Sequence, residues 1–415
     1  MNKIITLSVI ASSLSLAGGY KIPEQSLNSM ALGAAYVAHT SGADTAYFNP
    51  AAMAFMKDKQ YIETALTVAH LASQTYSLGG LASGKSETEN ILIPTTHYVA
   101  HTIGDWRWGM SIVVPGGLTK RWETPFQKAS AEEFTLKNVE LNPVFSYKVS
   151  DNFAVGGGIR LVYTEGIVKS DSSDANAINP AVPSVKRDME GNAIVFGYNL
   201  AMLYKPTTDI NLAVTYRSNI DLKEEGQANL YLGNVGRQYD ASVTVPLPAA
   251  LNLAISKTWN DRVTLEFNYE RTFWSTYKEL DFNYEQTLAN PVLVAAFDNP
   301  KDRKWKDTNT FRIGATIKMD NKLTAMFGFA IDQTPVDPKY VGFELADSDA
   351  KIFSMGFRYQ QTEKLSWGAA FLHDSKEALS LIPGAHHEVT SLLKKGGGFS
   401  EGGAFLTTVG VAYEF

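Results

Sequence analysis

Along 263–270 the chain reads Val263, Leu265, Phe267 and Tyr269 in one row, and Thr264, Glu266, Asn268 and Glu270 in the other. The same alternation runs through Phe153, Val155, Ile159, Leu161 and Tyr163, with Arg160 in the opposite row, and through Leu323, Ala325, Phe327, Phe329 and Ile331. A period of two places one row on each face of a strand, so each strand has an apolar face and a polar or small one. Fourteen such stretches are expected, near 59–73, 90–104, 105–118, 133–149, 152–170, 189–205, 209–226, 240–258, 261–284, 305–319, 322–335, 350–361, 363–380 and 403–415. Several exceed the length usual in globular sheets. Their connections alternate. Six are tight, such as Ser150-Asp151, Asn260-Asp261 and Asp320-Asn321, and the seven between them are long and polar, such as 73–89, 170–188 and 381–402. Short turns on one rim, long loops on the other and an even strand number predict a fourteen-stranded antiparallel transmembrane β-barrel, an all-β fold whose apolar row faces lipid.

The start of the chain fits that destination. Residues 1–17 carry Lys3, an apolar run from Ile4 to Leu16, and the small pair Ser15 and Ala17 around a cleavage point. This is the pattern of a signal peptide, and its apolar run is too short to span a bilayer as a helix. No Cys follows to take a lipid, and no later run reaches 18 apolar residues. Composition removes other classes. A net charge of -6 offers no basic face for nucleic acid, and the absence of Cys removes disulfides, thiolate catalysis and Cys-held metals. A mean hydropathy of -0.13 averages a lipid-facing row with a polar lumen and polar loops. At the far end Phe405, Thr407, Val409, Val411, Tyr413 and Phe415 share one face, which suits a closing strand with aromatics in an interfacial girdle.

Residues 18–57 do not alternate. They are rich in Ala, Ser and Gly, as suits a compact plug inside a narrow lumen. We expect three parts: signal peptide 1–17, hatch 18–57 and barrel 58–415. The run Gly19-Tyr20-Lys21-Ile22-Pro23-Glu24-Gln25-Ser26, then Ala35-Tyr36, Ala43-Asp44-Thr45-Ala46 and Phe48-Asn49-Pro50-Ala51-Ala52-Met53, resembles the hatch of the FadL/TodX-type outer-membrane transporters of long-chain fatty acids and hydrocarbons. The resemblance continues at Pro115-Gly116-Gly117-Leu118 with Trp122, Asn142-Pro143 with Tyr147, Trp274-Ser275, Asp332-Gln333-Thr334-Pro335-Val336 and Asp347-Ser348-Asp349.

That resemblance implies passive uptake into the bacterial outer membrane: capture among extracellular loops, a lumenal site beside the hatch, and lateral exit through the wall. In this sequence Asn49, Pro50 and Ala51 form the hatch motif. Pro115, Gly116 and Gly117 interrupt the third strand, because Pro lacks a ladder donor and Gly permits a bulge; the same residues also read as an ordinary turn. Ile178, Val182, Val185, Leu230, Tyr231 and Leu232 are apolar residues on loops, either a docking surface or loop-to-loop packing. Tyr20 and Ile22 could meet an apolar tail. Arg160 could meet a carboxylate or pair with a barrel Glu. Glu165 further along that strand departs from the family's basic pattern and leaves neutral hydrocarbons open.

The competing readings are a diffusion porin for hydrophilic solutes and an outer-membrane hydrolase. His97 and His101 share a strand face about 13 Å apart, too far for one metal, and no catalytic constellation or metal site is apparent, so a non-enzyme without cofactors is expected. The expected partners are a hydrophobic small molecule, outer-membrane lipid and lipopolysaccharide, and the barrel assembly machinery, with the chain acting as a monomer and without nucleic acid.

Overall fold

A computed structural model of the chain describes residues 18–388 and 391–415; the signal-peptide reading falls outside them. Fourteen antiparallel strands form the wall: β1 (Tyr61–Leu71), β2 (Glu89–Val99), β3 (Trp106–Val113 and Gly117–Arg121), β4 (Glu133–Ser150), β5 (Phe153–Asp171), β6 (Val185–Tyr204), β7 (Ile210–Arg217 and Ile220–Leu232), β8 (Val235–Leu247 and Ala250–Trp259), β9 (Val263–Thr272, resuming at Phe282–Tyr284), β10 (Thr308–Lys318), β11 (Leu323–Asp332), β12 (Ala350–Gln360), β13 (Leu365–Lys376) and β14 (Ala404–Glu414). Each pairs with the next, and β14 returns to β1 from Tyr61↔Glu414 to Leu71↔Ala404, closing the ring. Closure removes both free edges, which is the condition for a sheet to sit in lipid.

Burial is inverted relative to a soluble sheet. In β1 Ile62, Leu66 and Val68 are exposed while Glu63 and Thr67 are buried. Elsewhere Phe196, Leu200, Ile255, Phe267, Ile313 and Phe353 face outward and Arg107, Asn142, Arg160, Glu266, Asn268 and Arg312 face inward. Near the short turns, aromatic pairs ring the outside: Tyr98 with Trp108, Trp106 with Tyr147, Tyr359 with Trp367 and Tyr413 with Phe415. This is the interfacial girdle of a membrane barrel.

Two stretches differ from the sequence reading. The fourth long connection is absent: β7 and β8 run on as a hairpin from Ile220↔Leu247 to Leu232↔Val235 around Gly233 and Asn234, with Gly233 at φ +57°. This part of the hairpin carries polar residues on its outer row, so the apolar mark of a strand fades although a Gly-Asn turn is a strong hairpin signal. In β9 the strand ends at Thr272 for a single turn at Trp274–Thr276. Above the rim, segments from the first and last long connections form a separate four-stranded sheet, Gln74–Ser77, Gly84–Lys85, Leu379–Leu381 and Gly397–Glu401.

Residues 18–57 lie against the inward rows all round the ring. Helix α1 (Leu27–Ala31) packs on β11 to β14, and its Ser26–Ser29 capping box satisfies its first amides. Helix α2 (Thr45–Phe48) packs on β2 and β3, and the 3₁₀ turn Pro50–Phe55 on β3 to β6. Small wall residues make the room: a Cβ on Gly156 of β5 would lie 2.6 Å from the Ala51 nitrogen. Asn49 fixes the turn by donating from Nδ2 to the Val37 carbonyl at 2.8 Å. The Glu266 carboxylate of β9 accepts the backbone N–H groups of Val37, Ala38 and His39 at 2.5, 3.0 and 2.7 Å.

Candidate functional site: a wall break, a lumenal cavity and an aromatic nest

The ladder of β3 breaks where Pro115 and the glycines fall. Between the pairs Val113↔Glu140 and Gly117↔Lys137, three residues of β3 oppose two of β4, a bulge. The other side of β3 changes more. It pairs with β2 only from Thr96↔Ile112 to Val99↔Gly109, so residues 89–95 of β2 have no β3 partner, a stretch of about 20 Å at strand rise. Beyond the gap the two stretches of chain meet again at Ser86↔Trp122, at the Glu87 N–H to Arg121 carbonyl bond, and through the ion pair of Arg121 with Glu89. Pro94, exposed within that unpartnered stretch, is a further edge signature that we did not read from the sequence.

The N-terminal segment covers the break from inside. Ile22 N–H donates to the Pro115 carbonyl at 3.0 Å, and Gly117 N–H donates to the Tyr20 carbonyl at 2.8 Å. Gln25 replaces a strand neighbour with its side chain: Nε2 donates to the Val114 carbonyl at 2.7 Å and Oε1 accepts Val114 N–H at 2.8 Å. Asn138 of β4 donates to the Gly116 carbonyl. His97 places Nε2 2.8 Å from the Gln25 carbonyl and Nδ1 2.9 Å from Ser111 Oγ. Ile91, Ile93, Val113 and Val114 pack here with Ile22 and Leu27.

Beside Pro115 the lumen holds a small cavity of about 70 Å³. Its apolar lining includes Ile22, Phe48, Pro115 and Leu247, and its charged lining is Lys21, Arg160, Arg217, Arg312 and Glu270. Arg160 bridges to Glu140 at 3.0 Å and donates to the Ser218 carbonyl at 2.7 Å, so of the two roles considered it takes the pairing with a barrel Glu. Arg217 shares Glu140, Lys21 bridges to Glu270, and Arg312 reaches Glu270 at 3.3 Å. Four cations thus lean on two carboxylates around the cavity, with Asp332 and Glu24 further along Arg312. Arg217 Nη1 and Arg312 Nε are buried without a hydrogen-bond partner. Glu165 is elsewhere, half-exposed and paired with Lys137 at 2.9 Å. Lys21, Arg217, Glu140, Glu270 and Arg312 were missed in the sequence; charged residues at alternate positions between apolar ones, as Arg312 stands between Phe311 and Ile313, were the available signal.

Tyr20 lies above this cavity in an aromatic nest. Its ring stands 4.8 Å from that of Trp274, 5.7 Å from Trp305 and 6.4 Å from Tyr277. Burial, chiefly, pushes the Tyr277 phenol well above its ordinary range. The loops close over the nest in an apolar core that includes Tyr76, Trp122, Phe343 and Phe399. The apolar residues read as loop capture are not gathered at the cavity. Ile178 is exposed and Val182 half-buried in the third connection; Val185 pairs with Leu232 across β6 and β7; Leu230 is buried inward and Tyr231 is half-buried. Leu230, Tyr231 and Leu232 are therefore strand residues, not loop residues, because the hairpin runs to its tip.

Residues 8–415 match the family described as outer membrane protein transport protein (OMPP1/FadL/TodX). The chain belongs to this family. Among its relatives, a 47 kDa outer membrane protein of Pasteurella multocida is 24% identical over 88% of this chain and 89% of that one. A long-chain fatty acid transport protein of Escherichia coli O6:H1 is 24% identical over 90% and 92%. Among solved structures, a Pseudomonas aeruginosa FadL homologue superposes with a TM-score of 0.82 at 20% identity over 95% and 99% of the two chains. The Pseudomonas putida toluene transporter TodX gives 0.69 at 19% over 94% and 97%. As a FadL/TodX-family barrel, the chain is an outer-membrane protein.

Proposed function

We propose that the protein takes up hydrophobic monocarboxylates, long-chain fatty acids, by passive transfer through its wall. The observation that carries this reading is the cavity beside Pro115, whose lining joins apolar residues to Arg217 and Arg312, each with one buried guanidinium nitrogen that lacks a hydrogen-bond partner. A carboxylate supplies what Arg217 Nη1 and Arg312 Nε lack, and charge-assisted bonds of this kind are the strong ones. An acyl tail then lies against Ile22, Phe48 and Leu247, beside the β3 break. Exit there delivers the tail sideways into lipid and avoids hydrating it in the periplasm. In this reading residues 18–57 act as the hatch, and the aromatic nest and upper apolar core form the path from the loops. The name of the E. coli relative supports the fatty acid, whereas TodX, a toluene transporter, keeps neutral hydrocarbons as the competing cargo.

The test separates the two cargoes. Arg217→Gln with Arg312→Gln should weaken oleate binding to the purified barrel by about tenfold to a hundredfold, the loss of one or two bonds to a charged group. Binding of an alkane of equal length should be unchanged. Equal losses for acid and alkane, or no loss for either, would defeat the carboxylate assignment.

A further inference from the structure

The outward face of the wall also carries a groove, on strands other than those of the break. Where β6 to β9 approach their short turns, Met202, Leu212, Val214, Leu253, Ile255 and Phe267 line an external hollow of about 520 Å³. Its floor is the paired backbone of Ala213 and Ala254. The same two strands, β7 and β8, turn Thr215, Arg217 and Asn252 into the lumenal cavity. Groove and cavity therefore lie back to back across one layer of sheet.

An apolar groove that faces lipid is filled by an acyl chain, and the polar groups at its end decide whose. The outer row of β8 continues from Leu253 and Ile255 to Lys257 and Trp259. Lys257 stands about 7 Å beyond Ile255 at strand rise, in register with Ile210 and Leu265, both apolar. Between 210 and 216 on β7 and between 250 and 259 on β8 it is the one outward charge. A lysine in a lipid-facing row is costly unless its ammonium reaches polar surroundings. This ammonium lies 3.7 Å from one oxygen of Asp209, whose other oxygen accepts from Thr207 Oγ1 at 2.6 Å. It also lies 5.7 Å from the Trp259 ring. With three donors, it can serve a second anion beside that long pair. The short turns of an outer-membrane barrel face the periplasm, so this end of the groove sits at the phosphate level of the inner, phospholipid leaflet.

We propose that the groove binds one anionic phospholipid of that leaflet, with an acyl chain along Val214 and Leu253 and the phosphate on Lys257. A headgroup with net negative charge complements the lone cation, whereas a zwitterionic one brings its own cation against it. The bound chain backs the single layer of sheet that carries Arg217 into the cavity. Cargo identity does not enter, so this site can fail while the transport reading stands.

The test titrates detergent-purified, delipidated barrel with palmitoyl-oleoyl phosphatidylglycerol or the matching phosphatidylcholine and reads adducts by native mass spectrometry. A first adduct should saturate about fivefold more tightly for the glycerol lipid, the contribution of one lysine toward an anionic lipid. Lys257→Gln should abolish that preference and leave the choline lipid unchanged. Val214→Trp, which fills the groove, should lower the first adduct of both lipids, and Leu253→Trp does so from β8 if the first variant does not fold. Equal binding of the two lipids by the unaltered barrel overturns the proposal, because the lipid is then an ordinary annulus. So does a preference that survives Lys257→Gln or the groove-filling change. A dimer mass that the groove-filling change abolishes also overturns it, since a second copy of the chain would then cover the groove.

Discussion

Two strands of the wall lose their ladder, and the two losses are covered differently. At β3 the cover is the N-terminal segment, a separate piece of chain joined to the wall through Tyr20, Ile22 and Gln25. At β7 the ladder to β6 lapses between Arg217↔Asn199 and Glu225↔Asn192, and the cover is β7 itself. It dips inward so that a Cβ on Gly197 would lie 2.6 Å from Ile220 Cδ1, Arg160 holds the Ser218 carbonyl, and Thr164 of β5 donates to Glu224 at 2.5 Å. A bare strand edge is therefore not in itself an opening. What separates the two places is the covering piece: at β3 it is a segment outside the wall, and at β7 it is a strand of the wall itself.

The largest effect should come from repairing β3. Deleting Pro115 removes the residue by which three positions oppose two, so β3 can pair continuously with β4 and approach β2. Uptake of radiolabelled oleate should fall to the level of cells lacking the protein, while the barrel keeps its heat-modifiable mobility on gels. Undiminished uptake would mean that the cargo does not leave at β3.

Next comes the mobility of the cover. Glu266 holds three successive backbone N–H groups of the N-terminal segment, and nothing else replaces them if it is lost. Glu266→Ala should cost about 3 kcal/mol of local stability, since bonds to a charged acceptor are worth more than neutral ones. It should raise ion conductance in planar bilayers. A conductance as low as that of the unaltered protein would place the restraint elsewhere in the segment.

The same contrast divides what could be read in advance. Strand number, order and the alternation of short and long connections were legible because every strand inside lipid must present an apolar row. The extended hairpin of β7 and β8 was not, since its outer row is free to be polar. At the site, Pro115, Gly116 and Gly117 announced a break because their backbone chemistry is local. Gln25, Asn138 and Glu266 were silent: each acts across more than 20 residues of sequence by matching a main-chain group whose position only the closed ring defines. Arg160 was found by its place in an inward row, but its pairing with Glu140 belongs to a neighbouring strand.

The smallest effect should come from β7. Ser218 Oγ accepts the Tyr198 N–H at 2.9 Å, and Ser218 N–H donates to the Tyr198 carbonyl at 2.9 Å. Ser218→Ala removes only the first bond and leaves the second, as well as the Arg160 contact to the Ser218 carbonyl. The loss should be about 1 kcal/mol, one neutral hydrogen bond, read as a small drop in the temperature of heat modification. Oleate uptake and conductance should be unchanged, because Ile220 and Leu222 still fill the space behind β6. If Ser218→Ala raised conductance as Glu266→Ala does, the dip in β7 would be a second movable cover, and the wall would have two ways out.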